Sequence, residues 1–212
     1  MIDTSVLVTI EIINNDADYK AKPVLLISRG FSTNADIALR ELIVDLDICS
    51  KYYVLVPKYS DTVRMRQKAA TSIKKVNLEL SKKEEYFLYM DCATCLSKSM
   101  ATLQISDITM IGLSAGASVI MCLIPMLFAN DVNVTTLHIF APDPLPDTAT
   151  KIHVATSIYW QLNDAIIPLY PNCISVIKWL DQVFKVMIVV PGDKHDFHKK
   201  TLSDILYITC SA

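Results

Sequence analysis

Several short runs of this chain are apolar at nearly every position rather than at alternate ones. VLLIS within 23–31 and YYVLV within 51–60 are the plainest. A strand with one wet face alternates polar and apolar residues. A strand apolar on both faces must be covered on both, and that is the signature of a parallel sheet between helices. Further strand-like runs fall at 4–13, 105–113, 132–142, 151–160 and 184–192. Between them lie segments with helical spacing. Residues 35–49 place Ile37, Leu42 and Leu46 on one face, with Asn34 as a candidate cap. Residues 61–102 read as two helices, 115–130 as an apolar helix bent at Pro125, and 170–183 and 198–210 as the last two. The alternation predicts an α/β chain: a mostly parallel central sheet flanked by helices on both faces, a three-layer sandwich. No repeat, low-complexity tract or linker interrupts it, so one domain is expected over 1–212, with the 61–102 helical segment as a candidate cover for any site.

Composition narrows the function classes. Hydrophobic residues make up 52% and charged residues 20%, enough for a sizeable core. A net charge of −2 gives no case for nucleic acid. Asp3 stands where a secretory leader would carry positive charge. The longest apolar stretch, 117–129, is too short to span a bilayer, so no transmembrane segment is expected. Six scattered cysteines fit a reducing, cytoplasmic setting. Cys92 and Cys95 have the spacing of a redox or metal pair but no second pair or nearby histidine, and they read as structural. No metal and no cofactor is expected. The basic residues between 58 and 83, Arg64 and Arg66 among them, read as a solvated helix face. A mean hydropathy of +0.35 leaves an oligomer open.

The chain has only four glycines, and two of them, Gly112 and Gly116, flank Ser114 in GLSAG between a predicted strand and a predicted helix. That is the pattern of a nucleophile elbow, a sharp turn that forces the serine into strained dihedrals and leaves no room for side chains two residues away. The hydroxyl then stands at a helix N-terminus, where free amide groups favour developing negative charge. A serine needs a base. His138 and His153 fall inside predicted strands, whereas His195 and His198 follow the last one, on a loop that returns to the same sheet edge. His195 is preferred and His198 held in reserve, because His198 starts the predicted helix. The base needs an acid to set its tautomer. Asp164 in WQLNDAIIP follows a strand, and Asp143 in FAPDPLPD is the reserve.

In this order, Ser114, Asp164 and His195, the chain resembles a small member of the α/β-hydrolase superfamily. GLSAG resembles its elbow, NDAIIP its acid loop, GDKH before a helix its histidine loop, and LLISRGF the strand and loop that carry its oxyanion donors. The likeness runs over residues 20–210. It implies backbone N–H donors at Phe31 and Ala115, a role for Gly30 in the oxyanion loop and one for Gly192 ahead of the base. Two departures stand out. Arg29 replaces the usual histidine before Gly30, as a candidate pocket residue or a prop for the loop, and Gln161 stands where a glycine is common. The expected activity is hydrolysis of a small-molecule or acyl ester or thioester, in the manner of a lid-poor carboxylesterase or thioesterase. The alternative is a silent hydrolase-fold protein that serves as a binding or assembly module. The connection from Ala141 to Lys151 is expected to be too short for a helical lid.

Overall fold

The protein is described from a computed structural model, which covers residues 7–13, 22–147, 149–180, 185–192, 195 and 201–205, with backbone alone at 33–35 and 185. The elements, in chain order, are β1 (Val8–Ile12), β2 (Val24–Ser28), α1 (Thr33–Asp45), α2 (Ile48–Lys51), β3 (Tyr53–Tyr59), α3 (Asp61–Lys74), α4 (Leu78–Ala101), β4 (Asp107–Leu113), α5 (Ala115–Phe128), β5 (Asn133–Phe140), β6 (Thr156–Gln161), α6 (Leu169–Trp179) and β7 (Lys185–Val190). The strands form one sheet in the order β1-β3-β2-β4-β5-β6-β7. All neighbours are parallel except β1, which pairs antiparallel with β3 at one edge.

The doubly apolar strands do what their pattern requires. On β4, Ile108 and Met110 pack into the core beneath α4, α5 and α6, while Ile111 and Leu113 point into the core beneath α1 and the helical residues 201–205. β2 splits in the same way, with Leu26 on one side and Leu25 and Ile27 on the other. Helix α5 lies between the sheet and α4, which is why it is apolar all round: Ala117, Val119, Ile120, Leu123 and Ile124 are all fully buried.

Three expectations are corrected. In α1 the buried pair is Leu39 and Ile43, and Ile37 is 58% exposed. Both stripes have helical spacing, and the docking of the helix on the sheet chose between them. The N-cap of α1 is Ser32, without a side-chain hydrogen bond, and Asn34 falls inside the helix. The strand expected from Lys151 begins at Thr156, where pairing with Leu137 starts, and Ile152 makes only an isolated bridge to Leu180. Residues 151–155 alternate exposed and buried, which mimics a strand without a ladder partner. The connection between β5 and β6 is therefore longer than expected, though its described residues hold no helix.

Because the strands from β3 to β7 are parallel, their C-terminal ends share one edge. Register then sets what meets there. Ser28 pairs with Gly112, Leu113 with Phe140, and Gln161 with Val190. The loops after β2, β4, β5, β6 and β7 leave from that edge. The chain order reverses between β2 and β4, the position at which open α/β sheets form their sites.

Candidate active site

Ser114 leaves β4 at φ 57° and ψ −136°, a strained backbone for a residue with a side chain. Its N–H donates to the carbonyl of Phe140 at 2.9 Å, and its carbonyl accepts from Ala117 N–H at 2.9 Å and Ser118 N–H at 3.2 Å, so the turn is held from both sides. The flanking glycines are steric necessities. A Cβ on Gly112 would lie 2.5 Å from the Cα of Ala117, and one on Gly116 would lie 2.4 Å from the carbonyl oxygen of Arg29. A Cβ on Gly30 would lie 3.7 Å from Ser114 Oγ, so the loop after β2 runs beside the serine hydroxyl. The first-turn N–H groups of Ala115 and Gly116 have no backbone carbonyl partner among the described residues, as expected at a helix start.

The acid loop is built around one buried carboxylate. Asp164 Oδ1 accepts from the N–H groups of Ile166 and Ile167, each at 2.9 Å, and Trp160 Nε1–H donates to the Ile167 carbonyl at 2.7 Å. That leaves Oδ2 for His195, whose Nδ1 lies 2.7 Å away. The Asp164 side chain is 1% exposed and that of His195 14%. His195 Nε2 is buried and has no hydrogen-bond partner among the described residues, so it makes no hydrogen bond to Ser114 Oγ. Gly192 holds φ +146°, and a Cβ there would lie 2.7 Å from Gln161 Oε1, so Gln161, one of the two departures, packs directly on the glycine ahead of the base. His198 lies outside the described residues. His138 is buried on β5 beside Tyr159, and burial pushes its imidazole down to about 4; His153 is exposed.

Asp143 is drawn in as well. Its half-buried carboxylate accepts from Tyr89 Oη–H on α4 at 2.8 Å, and Ser118 Oγ–H donates to its carbonyl at 3.0 Å. Burial raises the Asp143 carboxyl above the usual range, against the lowering pull of Tyr89 and of His195. Burial and the Asp143 charge hold the Tyr89 phenol well above its ordinary value. Sequence reasoning missed Tyr89, Tyr59 and Arg64. Tyr59 and Tyr89 pack around Phe31, at ring separations of 4.5 and 6.1 Å, and Tyr59 shares a 2.7 Å hydrogen bond with Ser28. Arg64, counted among the solvated basic residues, donates from Nε to the Phe31 carbonyl at 2.9 Å and pairs with Asp36 and Asp61. It therefore clamps the loop after β2. Arg66 pairs with Asp91, and Lys58 with Glu11. Apart from the i,i+3 pair of Arg64 with Asp61, no local signal marks such contacts, because the partners are tens of residues apart. Arg29 is half-buried beside this loop, and Cys92 is fully buried in α4.

No protein-family model and no curated protein sequence matches the chain. Solved structures do. A hydrolase from Oleispira antarctica is 10% identical, with a TM-score of 0.61 over 99% of this chain and 96% of that one. Est1E from Butyrivibrio proteoclasticus, with ferulic acid bound, is 12% identical, with a TM-score of 0.58 over 95% and 93%. Mouse alpha/beta hydrolase domain-containing protein 10 is 12% identical, with a TM-score of 0.53 over 96% and 92%. The likeness is one of fold: this chain has the α/β-hydrolase fold.

Proposed function

We propose that this protein is a serine hydrolase that cleaves a carboxylic ester or thioester. Ser114 Oγ attacks the acyl carbon while its proton passes to His195 Nε2. Asp164 holds Nδ1–H and offsets the charge of the imidazolium. The N–H groups of Ala115 and Phe31 receive the oxyanion, a contribution of about 3 kcal/mol each in sites of this kind. His195 then protonates the leaving alkoxide or thiolate, and water releases the acyl group by the reverse sequence. The observation that carries this reading is the Asp164–His195 pair: a buried carboxylate at 2.7 Å fixes one ring nitrogen and leaves the other buried and unpartnered. The bond from base to nucleophile in such sites is often long and tightens only in the complex with substrate, so the missing contact from Nε2 to Ser114 is compatible with this reading.

The test is labelling with a fluorophosphonate, read by intact mass and peptide mapping, beside Ser114→Ala and His195→Ala. One adduct on Ser114, absent in the first variant and much slower in the second, is the expected result. Folded protein that takes no adduct, and that turns over no p-nitrophenyl ester or acyl thioester, would overturn the reading and leave a binding role for the fold.

A further inference from the structure

Away from Ser114, two cavities share a wall. One, about 240 Å³, lies between α4 and α5 and is lined by Tyr86, Met90, Met121, Pro125 and Met126. The other, about 330 Å³, is bordered by Asp147, Lys151, Ser175 and Lys178. Leu145, Ala149 and Trp179 line both. Each volume is near the lower end for a ligand site, and together they fall within the usual span.

The two cavities differ in chemistry. The first is almost wholly apolar, and three of its lining side chains are methionines, which adapt to flexible apolar partners. Pro125, inside α5, has no N–H to give the carbonyl of Met121, which leaves a helix acceptor without its usual partner there. The second cavity carries two exposed lysines against one aspartate, and neither lysine has an ion-pair partner among the described residues. On the shared wall stands Trp179, 5% exposed, whose buried Nε1–H has no acceptor among the described residues. Nε1 is closed off from both cavities, so Trp179 meets them through the apolar atoms of its ring. The other tryptophan, Trp160, donates to Ile167 as a buried indole normally does.

We infer that these neighbouring cavities bind an aliphatic carboxylate, with its chain along the methionine-lined groove and its head against Lys151 and Lys178. The charge of the lysines selects an anion, and the groove takes a single flexible chain rather than a ring system. This site is separate from Ser114 and does not depend on its chemistry.

The probe is sodium decanoate, titrated below its micelle threshold and read by calorimetry and by tryptophan fluorescence, with decanol as the uncharged control. Saturable one-to-one binding is expected, undiminished in Ser114→Ala. The pair Lys151→Glu and Lys178→Glu, both exposed, should weaken it on the order of tenfold. Failure to saturate, equal affinity for decanol, or affinity unchanged in the lysine variant would overturn the inference. Binding lost in Ser114→Ala would also overturn it, by placing the ligand at the candidate active site.

Discussion

Gly116→Ala isolates the geometric claim on which the site rests. The added Cβ would meet the Arg29 carbonyl oxygen at 2.4 Å and its carbonyl carbon at 2.6 Å. These are backbone atoms, so no side chain can swing aside. The gap must open by roughly 0.6–1 Å, by moving either the loop after β2 or the start of α5, and a shift of that kind typically costs about 1–3 kcal/mol of stability. If the loop moves, it carries Phe31 with it, and under the proposed mechanism its N–H leaves the place where the oxyanion would develop. Loss of one such donor costs about 3 kcal/mol, on the order of a hundredfold in rate. Gly30→Ala is the control. Its Cβ would stand at an ordinary 3.7 Å from Ser114 Oγ, with no positive φ to forbid it. That variant should keep its stability and lose activity only by crowding the hydroxyl. The assay is chemical denaturation beside the rate of fluorophosphonate labelling. A Gly116→Ala protein with wild-type stability and labelling rate would refute the close packing of elbow on loop.

Other perturbations follow from the same contacts. Asp164→Asn keeps an oxygen for the Ile166 and Ile167 N–H groups, so the fold should lose little, while ester turnover should fall by about 10³–10⁴ through the wrong imidazole tautomer; Asp164→Ala should lose stability as well. The neutral His138 has a folded pKa of about 4 against 6.5 unfolded, so the unfolded chain binds the extra proton between those values. Stability should fall as pH drops from 6.5 towards 4, by at most about 3 kcal/mol, and denaturation of His138→Gln across that window should show the slope reduced. Tyr89→Phe removes the hydrogen bond that lowers the Asp143 carboxyl, whose pKa burial has already raised. The charged carboxylate is then left short of a donor, at a cost of about 1–3 kcal/mol at neutral pH. Since the group is neutral below its folded pKa, that cost should shrink in denaturation runs at low pH; a cost that stays constant with pH would refute this account.

The sequence by itself determined the layers and the loops. Runs apolar on both faces demand cover on both sides, so VLLIS and YYVLV announced a parallel sheet without any long-range information. Gly112 and Gly116 beside Ser114 are a local requirement of a tight turn, legible for the same reason. The loops that carry Asp164 and His195 were legible because parallel strands deliver every following loop to one edge. The tertiary structure decided what lies between those points. It chose Leu39 and Ile43 over Ile37 as the buried stripe of α1, since two stripes of one helix differ only in what they meet. It moved the start of β6 to Thr156, because pairing with Leu137, and not the alternation of 151–155, defines the strand. It brought Tyr89 to Asp143 and Arg64 to the Phe31 carbonyl across 54 and 33 residues of chain. Local propensity acts within a few residues, and contacts of that span exist only once the helices have docked on the sheet.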